Sequence, residues 1–334
     1  MKYVYVLTST PKDLYYEQAL MSAYSLRKKM PTAQIIVLVD NKTNASFNEE
    51  NKRTALKKYA SQIISVDFAD DVPNVDRSRL IKTSIPEYVS GSFLYIDCDT
   101  IIADDLSGIE RVEATTGGIL DGHCRLNEHI HQKYFLSRDK KLGFHGTSAL
   151  GGNINGGVIL AKADTEAEKE ESVALFKAWK YSAYEKHDKH DQSALNEANY
   201  RTGMKMQELS GEWNCQPSHG GLAFLKGAKI IHYYSSEFSG KNYIPYYKLA
   251  DKALQMRIKE AGEIPDDVKA MIAEPKFQFN AVHLINDARI VSIMQSPLTF
   301  TLADLKAHCP PVFNALEAMV GGARGLAKKL KGKR

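Results

Sequence analysis

Over the first hundred residues, apolar and polar positions repeat with the rhythm of alternating strands and helices. Residues 3 to 8 form an apolar strand-length run that breaks at Thr-Ser-Thr-Pro, and residues 15 to 29 repeat apolar positions at helical spacing. Residues 35 to 39 are wholly apolar and close on Asp40, residues 46 to 60 read as a charged helix, and residues 63 to 68 return to a strand. A further helix precedes the apolar run 93 to 96, which ends on Asp97. Apolar strands joined by crossover helices predict an α/β fold whose central sheet is mainly parallel and buried on both faces, a Rossmann-like architecture. Ligands of such sheets bind at the carboxyl ends of the strands, where Thr8, Asp40 and Asp97 fall. Residues 125 to 150 are polar and irregular, and they predict a loop that folds over a ligand or shapes a second pocket.

The candidate chemistry begins at Asp97-Cys98-Asp99. Side chains two apart on a strand project to one side, so both carboxylates can face one hard divalent cation, the usual way to hold a diphosphate. The competing reading is a turn opened by aspartates. The chain lacks the Gly-x-Gly-x-x-Gly fingerprint after its first strand and any Gly-Lys-Ser/Thr phosphate loop, which removes most support for hydride transfer and P-loop chemistry. His187 and His190, three apart, can share a helix face and bind zinc, but Lys189 stands between them and a solvated face is the expected state.

Composition adds bounds. With 334 residues, 43% hydrophobic and 25% charged, the chain can bury a substantial core. Cys98, Cys124, Cys215 and Cys309 form no Cys-x-x-Cys pair, so a reducing cytosol fits better than a disulfide or zinc framework. The N-terminal run has neither the basic nor the long apolar region of a signal peptide, and no apolar stretch reaches the about 18 residues of a spanning helix. Charge is concentrated at the other end. Phe313, Leu316, Met319, Val320, Leu326 and Leu330 recur at helical spacing, while six cations from Arg324 onward outweigh the chain's formal +4. Such a segment suits a helix lying on an anionic membrane better than nucleic acid, against the alternative of a solvated tail.

Four motifs, in order, resemble glycosyltransferase family 8, the retaining nucleotide-sugar enzymes that include glycogenin and bacterial lipooligosaccharide galactosyltransferases. They are Arg79-Leu80-Ile81 with Asp97-Cys98-Asp99 and Asp104-Asp105-Leu106, then Asn153 to Val158, then Asp191-Gln192, then Ile230-Ile231-His232-Tyr233. The resemblance covers about residues 1 to 245. It implies a GT-A-type catalytic domain over 1 to 245, followed by a helical extension over 246 to 310 and the basic tail over 311 to 334. It further implies His232 as third metal ligand beside Asp97 and Asp99, and a nitrogen donor in that set favours Mn2+ over calcium, with Mg2+ as second choice. Leu7, Thr8 and Tyr15, or Tyr16 in its place, would meet uridine, with Cys98 beside them; Arg79 would reach sugar and phosphate. Asn155, Gly156 and Gly157 would approach the sugar closely, because glycine removes the side chain in the way, and Asp121 would accept a sugar hydroxyl. Asp191 and Gln192 would flank the anomeric carbon. The chain departs from the family after His232, where the diphosphate lysine and its Pro-Trp are missing and Lys241 is the nearest substitute.

The expected activity is transfer of glucose or galactose from a UDP-sugar to a glycan or glycolipid, in the cytoplasm or on the cytoplasmic membrane face. Two other classes compete: a sugar-nucleotide-binding protein with a decayed site, and a nucleotidyltransferase, which also uses paired aspartates but attacks the α-phosphate. The missing glycine-rich basic loop speaks against the latter.

Overall fold

The apolar run at the N-terminus becomes β1 (Lys2–Leu7), buried on both faces and central to the sheet. In the computed structural model the described residues are 1–129, 131–185, 191–217, 220–233, 247–279, 293 and 296–331, those at 185 and 324–331 by their backbone alone. After β1 the chain crosses through α1 (Tyr15–Lys29) to β2 (Gln34–Asp40), passes a short α2 (Asn41–Ala45) to β3 (Gln62–Val66), and returns through α3 (Asn74–Thr83) and α4 (Ile85–Tyr88) to β4 (Phe93–Ile96). These four strands pair in parallel; β1, β2 and β4 are buried on both faces, whereas β3 at the sheet edge is largely part-exposed.

Beyond β4 the chain forms β5 (Thr100–Ile102) and β6 (Thr116–Leu120), then α5 (Gln132–Leu142), α6 (Gly146–Leu150), β7 (Ile154–Ala161), α7 (Glu166–Glu185), α8 (Asp191–Arg201), β8 (Gln207–Glu208) and β9 (Ile230–His232). The main sheet has the order β3-β2-β1-β4-β7-β6-β8, with β7 antiparallel to both neighbours, so the sheet is mixed but parallel over its first half. A separate antiparallel pair, β5 with β9, sets Thr100 opposite His232. That register places a histidine distant in sequence beside the Asp97-Cys98-Asp99 turn.

Two expected elements differ. Residues 46 to 60 are not one helix: Asp40 caps a helix that ends at Ala45, and only Ala55–Lys58 resumes as a 3-10 turn. Local bonds win here, with Ser46 Oγ donating to the Thr43 carbonyl and the Asn51 amide donating to Asn48 Oδ1. Residues 125 to 150 are largely helical, in α5 and α6, where a loop was expected.

The chain divides into two compact units, Met1–Phe279 and Asn280–Arg334. The first runs past residue 245 and includes α9 (Lys252–Ala261) and α10 (Asp266–Ala273); Gln255 on α9 accepts from Gln18 on α1 at 3.3 Å. In the second, Pro297–His308 and Pro310–Lys331 are helices. No described helix is long and apolar enough to cross a membrane.

Candidate active site

The carboxyl ends of β1 and β4 open onto a cavity of about 350 Å3 lined by Leu7, Thr8, Tyr15, Arg79, Asp97, Cys98, Asp99 and Asp191, among others. The loop after β1 is built by Asp13, whose carboxylate accepts from Ser9 Oγ at 2.6 Å and from the Thr10 amide at 2.7 Å. This turns the chain so that Tyr15, 49% exposed, faces the cavity, while Tyr16, 1% exposed, packs on Phe47 beneath the Arg53 guanidinium. Of the two tyrosines, therefore, Tyr15 is the one available to a ligand. Cys98 Sγ donates to the Val6 carbonyl at 3.3 Å, and burial raises its thiol well above the usual range, so it contributes surface and no nucleophile.

Where β4 ends, the Asp97 amide donates to the Gly157 carbonyl at 2.8 Å, tying the acidic turn to β7. Asp97, Asp99 and His232 bring one donor atom each within 4.8 Å of one another. Two carboxylate oxygens and an imidazole nitrogen are a donor set suited to a divalent transition metal, and the buried ring of His232 already turns Nε2 toward Asp99 Oδ1, 3.1 Å away. Burial opposes charge on His232, but Asp99 and Asp97 outweigh it and raise the imidazole above its ordinary value. Asp97 is raised above the usual carboxylate range by burial and by Asp99, although Lys82 opposes this. Glycine at 157 has a reason the sequence did not show: an added Cβ would lie 2.3 Å from Cε1 of His232. The His232 ring thus fills the space that a side chain at 157 would take.

Lys82 is the main residue that sequence reasoning missed. It lies on α3 one helical turn after Arg79, its side chain 9% exposed, with Nζ 2.8 Å from Asp191 Oδ2 and 3.4 Å from Asp97 Oδ1. Its ammonium also sits 4.9 Å from the Tyr95 ring centre, and Tyr95 donates its hydroxyl to Asp97. Burial alone would discharge this lysine, but Asp191 and Asp97 more than reverse the effect and raise it above ordinary lysine. Asp191 gains correspondingly: against burial, Lys82 holds it below the usual carboxylate range. The start of α8 is fixed independently by Trp179, fully buried, whose Nε1 donates to the Asp191 carbonyl at 3.0 Å. The one sequence signal was the spacing of two cations on a helix that had to be covered by sheet on one side.

Asp121, Asn155 and Gln192 lie one hydrogen bond further in. Asn155 Nδ2 donates to Asp121 Oδ1 at 2.9 Å and to Gln192 Oε1 at 3.3 Å, and its Oδ1 accepts from the Gly157 amide and from Asn214 Nδ2, both at 2.9 Å. At Gly156 an added Cβ would meet Lys82 Nζ at 3.4 Å and Asp191 Oδ2 at 3.7 Å, so a bare backbone fronts these two groups. The structure thus brings together Asp97, Asp99, His232, Asp191, Gln192, Asn155, Gly156, Gly157 and Asp121 with the cavity wall. Lys241, His187 and His190 lie outside the described residues.

The sequence profile of glycosyl transferase family 8 matches residues 7–237. The chain belongs to that family. Among solved structures the chain is similar to the galactosyltransferase LgtC in complex with donor and acceptor sugar analogs, at 16% identity and TM-score 0.50 over 81% of this chain and 99% of that one. Mouse xyloside xylosyltransferase 1 in its apo form is also similar, at 12% identity and TM-score 0.45 over 70% of this chain and 97% of that one. No curated protein matches by sequence. Family and fold together make the chain a glycosyltransferase with a GT-A-type fold.

Proposed function

We propose that this family-8 protein is a divalent-metal-dependent, retaining hexosyltransferase that moves glucose or galactose from a UDP-sugar to a saccharide or glycolipid. The observation that carries this reading is the convergence of Asp97, Asp99 and His232 beside a cavity walled by Leu7, Thr8 and Tyr15. Tyr15 offers a flat ring for a nucleobase, and the β1 end offers backbone for a ribose. Asp97, Asp99 and His232 would hold Mn2+, which when bound supplies Lewis-acid neutralisation of the leaving diphosphate. Arg79, on the cavity wall, adds a permanent cation for sugar or phosphate, and Lys241 is the remaining candidate for the diphosphate.

In the transfer itself the bond from the anomeric carbon to the UDP oxygen breaks, a bond to the acceptor oxygen forms, and the acceptor proton passes to the departing phosphate oxygen. Retention by double displacement needs a free carboxylate near the anomeric carbon. Asp191 is instead committed to Lys82 at 2.8 Å, and Gln192 is an amide with little nucleophilicity. Substitution on the same face, with Gln192, Asn155 and Asp121 positioning the sugar, fits these residues better. The described part of the helix Pro310–Lys331 exposes Val312, Leu316, Met319 and Val320 at spacings of one face, and its sequence ends in cations. Peripheral contact with an anionic membrane would bring a glycolipid acceptor to this enzyme. The direct test is release of UDP from a panel of UDP-hexoses with Mn2+; release that needs the metal and favours one hexose is expected, and consumption of nucleoside triphosphates with pyrophosphate release would replace this reading.

A further inference from the structure

We propose that Asn214 is a positioning residue that sets the tautomer of His232 and, through the same side chain, the orientation of the sugar-pocket amide Asn155. The proposal rests on the metal-site reading above but concerns residues that the cavity does not expose.

The Gly157 backbone N–H can only donate. It lies 2.9 Å from Asn155 Oδ1, so that atom is the carbonyl oxygen and the Asn155 NH2 points the other way, to Asp121 and Gln192. The Asn214 atom facing the same oxygen, also at 2.9 Å, must then be its NH2. Asn214 therefore presents its carbonyl oxygen to His232 Nδ1, 3.0 Å away, and an oxygen there requires a proton on Nδ1. In the neutral ring, Nε2 is left with its lone pair, facing Asp99 and the space between the two aspartates. One obligate backbone donor thus fixes the polarity of two amides and one imidazole in succession.

Water cannot easily substitute, because Asn214, Asn155 and His232 are 0%, 1% and 2% exposed. The placement of Asn214 is equally determined. The next residue, Cys215, pairs with β9: its amide donates to the Ile230 carbonyl at 2.8 Å and its carbonyl accepts from the His232 amide at 2.8 Å. Asn214 is held beside the ring by backbone that belongs to the ligand's own strand. Groups that orient a metal-bound histidine in this way typically change metal affinity by about 10- to 100-fold when lost.

The test uses the full-length protein and two variants. Asn214→Leu removes both the acceptor and the donor, and is expected to weaken Mn2+ binding, read by electron paramagnetic resonance or calorimetry, by at least about tenfold. Asn214→Asp keeps an oxygen for Nδ1–H but loses the donor to Asn155 Oδ1, and is expected to recover most of the Mn2+ affinity that Asn214→Leu loses, because the Nδ1 partner is restored. Equal Mn2+ affinity in native protein and Asn214→Leu, or equal losses in both variants, would overturn the proposal. A second readout follows the proton directly: in native protein labelled with 15N-histidine and loaded with diamagnetic Zn2+, the His232 ring should carry its proton on Nδ1 and leave Nε2 to the metal. A proton on Nε2 would overturn the proposal by itself. Failure of native protein to bind either Mn2+ or Zn2+ would instead count against the metal site on which the proposal rests.

Discussion

At the scale of single residues, three groups of like function are under opposite pressures. Asp97 and His232 both bind protons more readily than usual, Asp97 because burial and the nearby Asp99 favour its neutral form, and His232 because Asp99 and Asp97 outweigh the burial that opposes its charge. A divalent metal would need both deprotonated, so protons compete with it. The sign follows from the shifts. His232, raised above ordinary imidazole, stabilises the metal-free fold below that value, and this contribution is lost as pH rises through its folded value; Asp97, also raised, loses its contribution in the same direction from a more acidic starting point. Bound metal restores the missing positive charge where the proton has left. The unfolding midpoint with Mn2+ is therefore expected to exceed that in chelator, by a gap that widens from mildly acidic to alkaline pH. A gap independent of pH would contradict the assignment. Asp191, held low by Lys82, stays ionised throughout this window.

At the scale of elements, Lys82 ties α3 to the end of β4 and the start of α8 through Asp97 and Asp191. Replacing it with methionine keeps the packing but leaves two inward carboxylates without their cation, and Lys82→Met is expected to lose about 3 kcal/mol in denaturant unfolding. A loss below about 1 kcal/mol would place the pair in the class of surface ion pairs. This tie was hidden in the sequence, since Lys82 looks like any helix cation until the sheet is laid against it. The parallel strands were legible, because two-sided burial writes itself as unbroken apolar runs such as residues 35 to 39. Helix α5 was not: its buried face is Phe135, Arg138 and Asp139, so two of three buried positions are charged and no apolar period survives. The false helix at 46 to 60 had the converse cause, a helical composition defeated by Ser46 and Asn48 bonding their own backbone. Of the site, the carboxylate pair showed itself by spacing, whereas Asn214 reaches His232 only through the strand pairing around Cys215 and has no local pattern to betray it.

At the scale of the whole molecule, the catalytic unit Met1–Phe279 and the unit Asn280–Arg334 differ in kind. Within the second, no residue of the helix Pro297–His308 is buried, and exposed Leu298 and Phe300 add to the apolar surface of the helix that follows. A cationic segment of this sort gains about 1 kcal/mol per Lys or Arg near an anionic bilayer. Deleting residues 311 to 334 is expected to leave UDP-hexose hydrolysis unchanged while abolishing binding to anionic vesicles, and binding by the full chain is expected to weaken as salt rises. Equal vesicle binding by both forms would remove the membrane from the account. In the proposed reaction a metal held by Asp97, Asp99 and His232 drives cleavage of a UDP-sugar. This role is tested most directly by UDP release from UDP-glucose and UDP-galactose with Mn2+, comparing native protein with Asp99→Asn, which removes one charge at a partly exposed turn and is expected to fold. The expected result is metal-dependent release by the native protein and a loss of more than tenfold in the variant, since several kcal/mol of transition-state stabilisation disappear. Release by Asp99→Asn at more than about a tenth of the native rate, or native release indifferent to chelator, would contradict it.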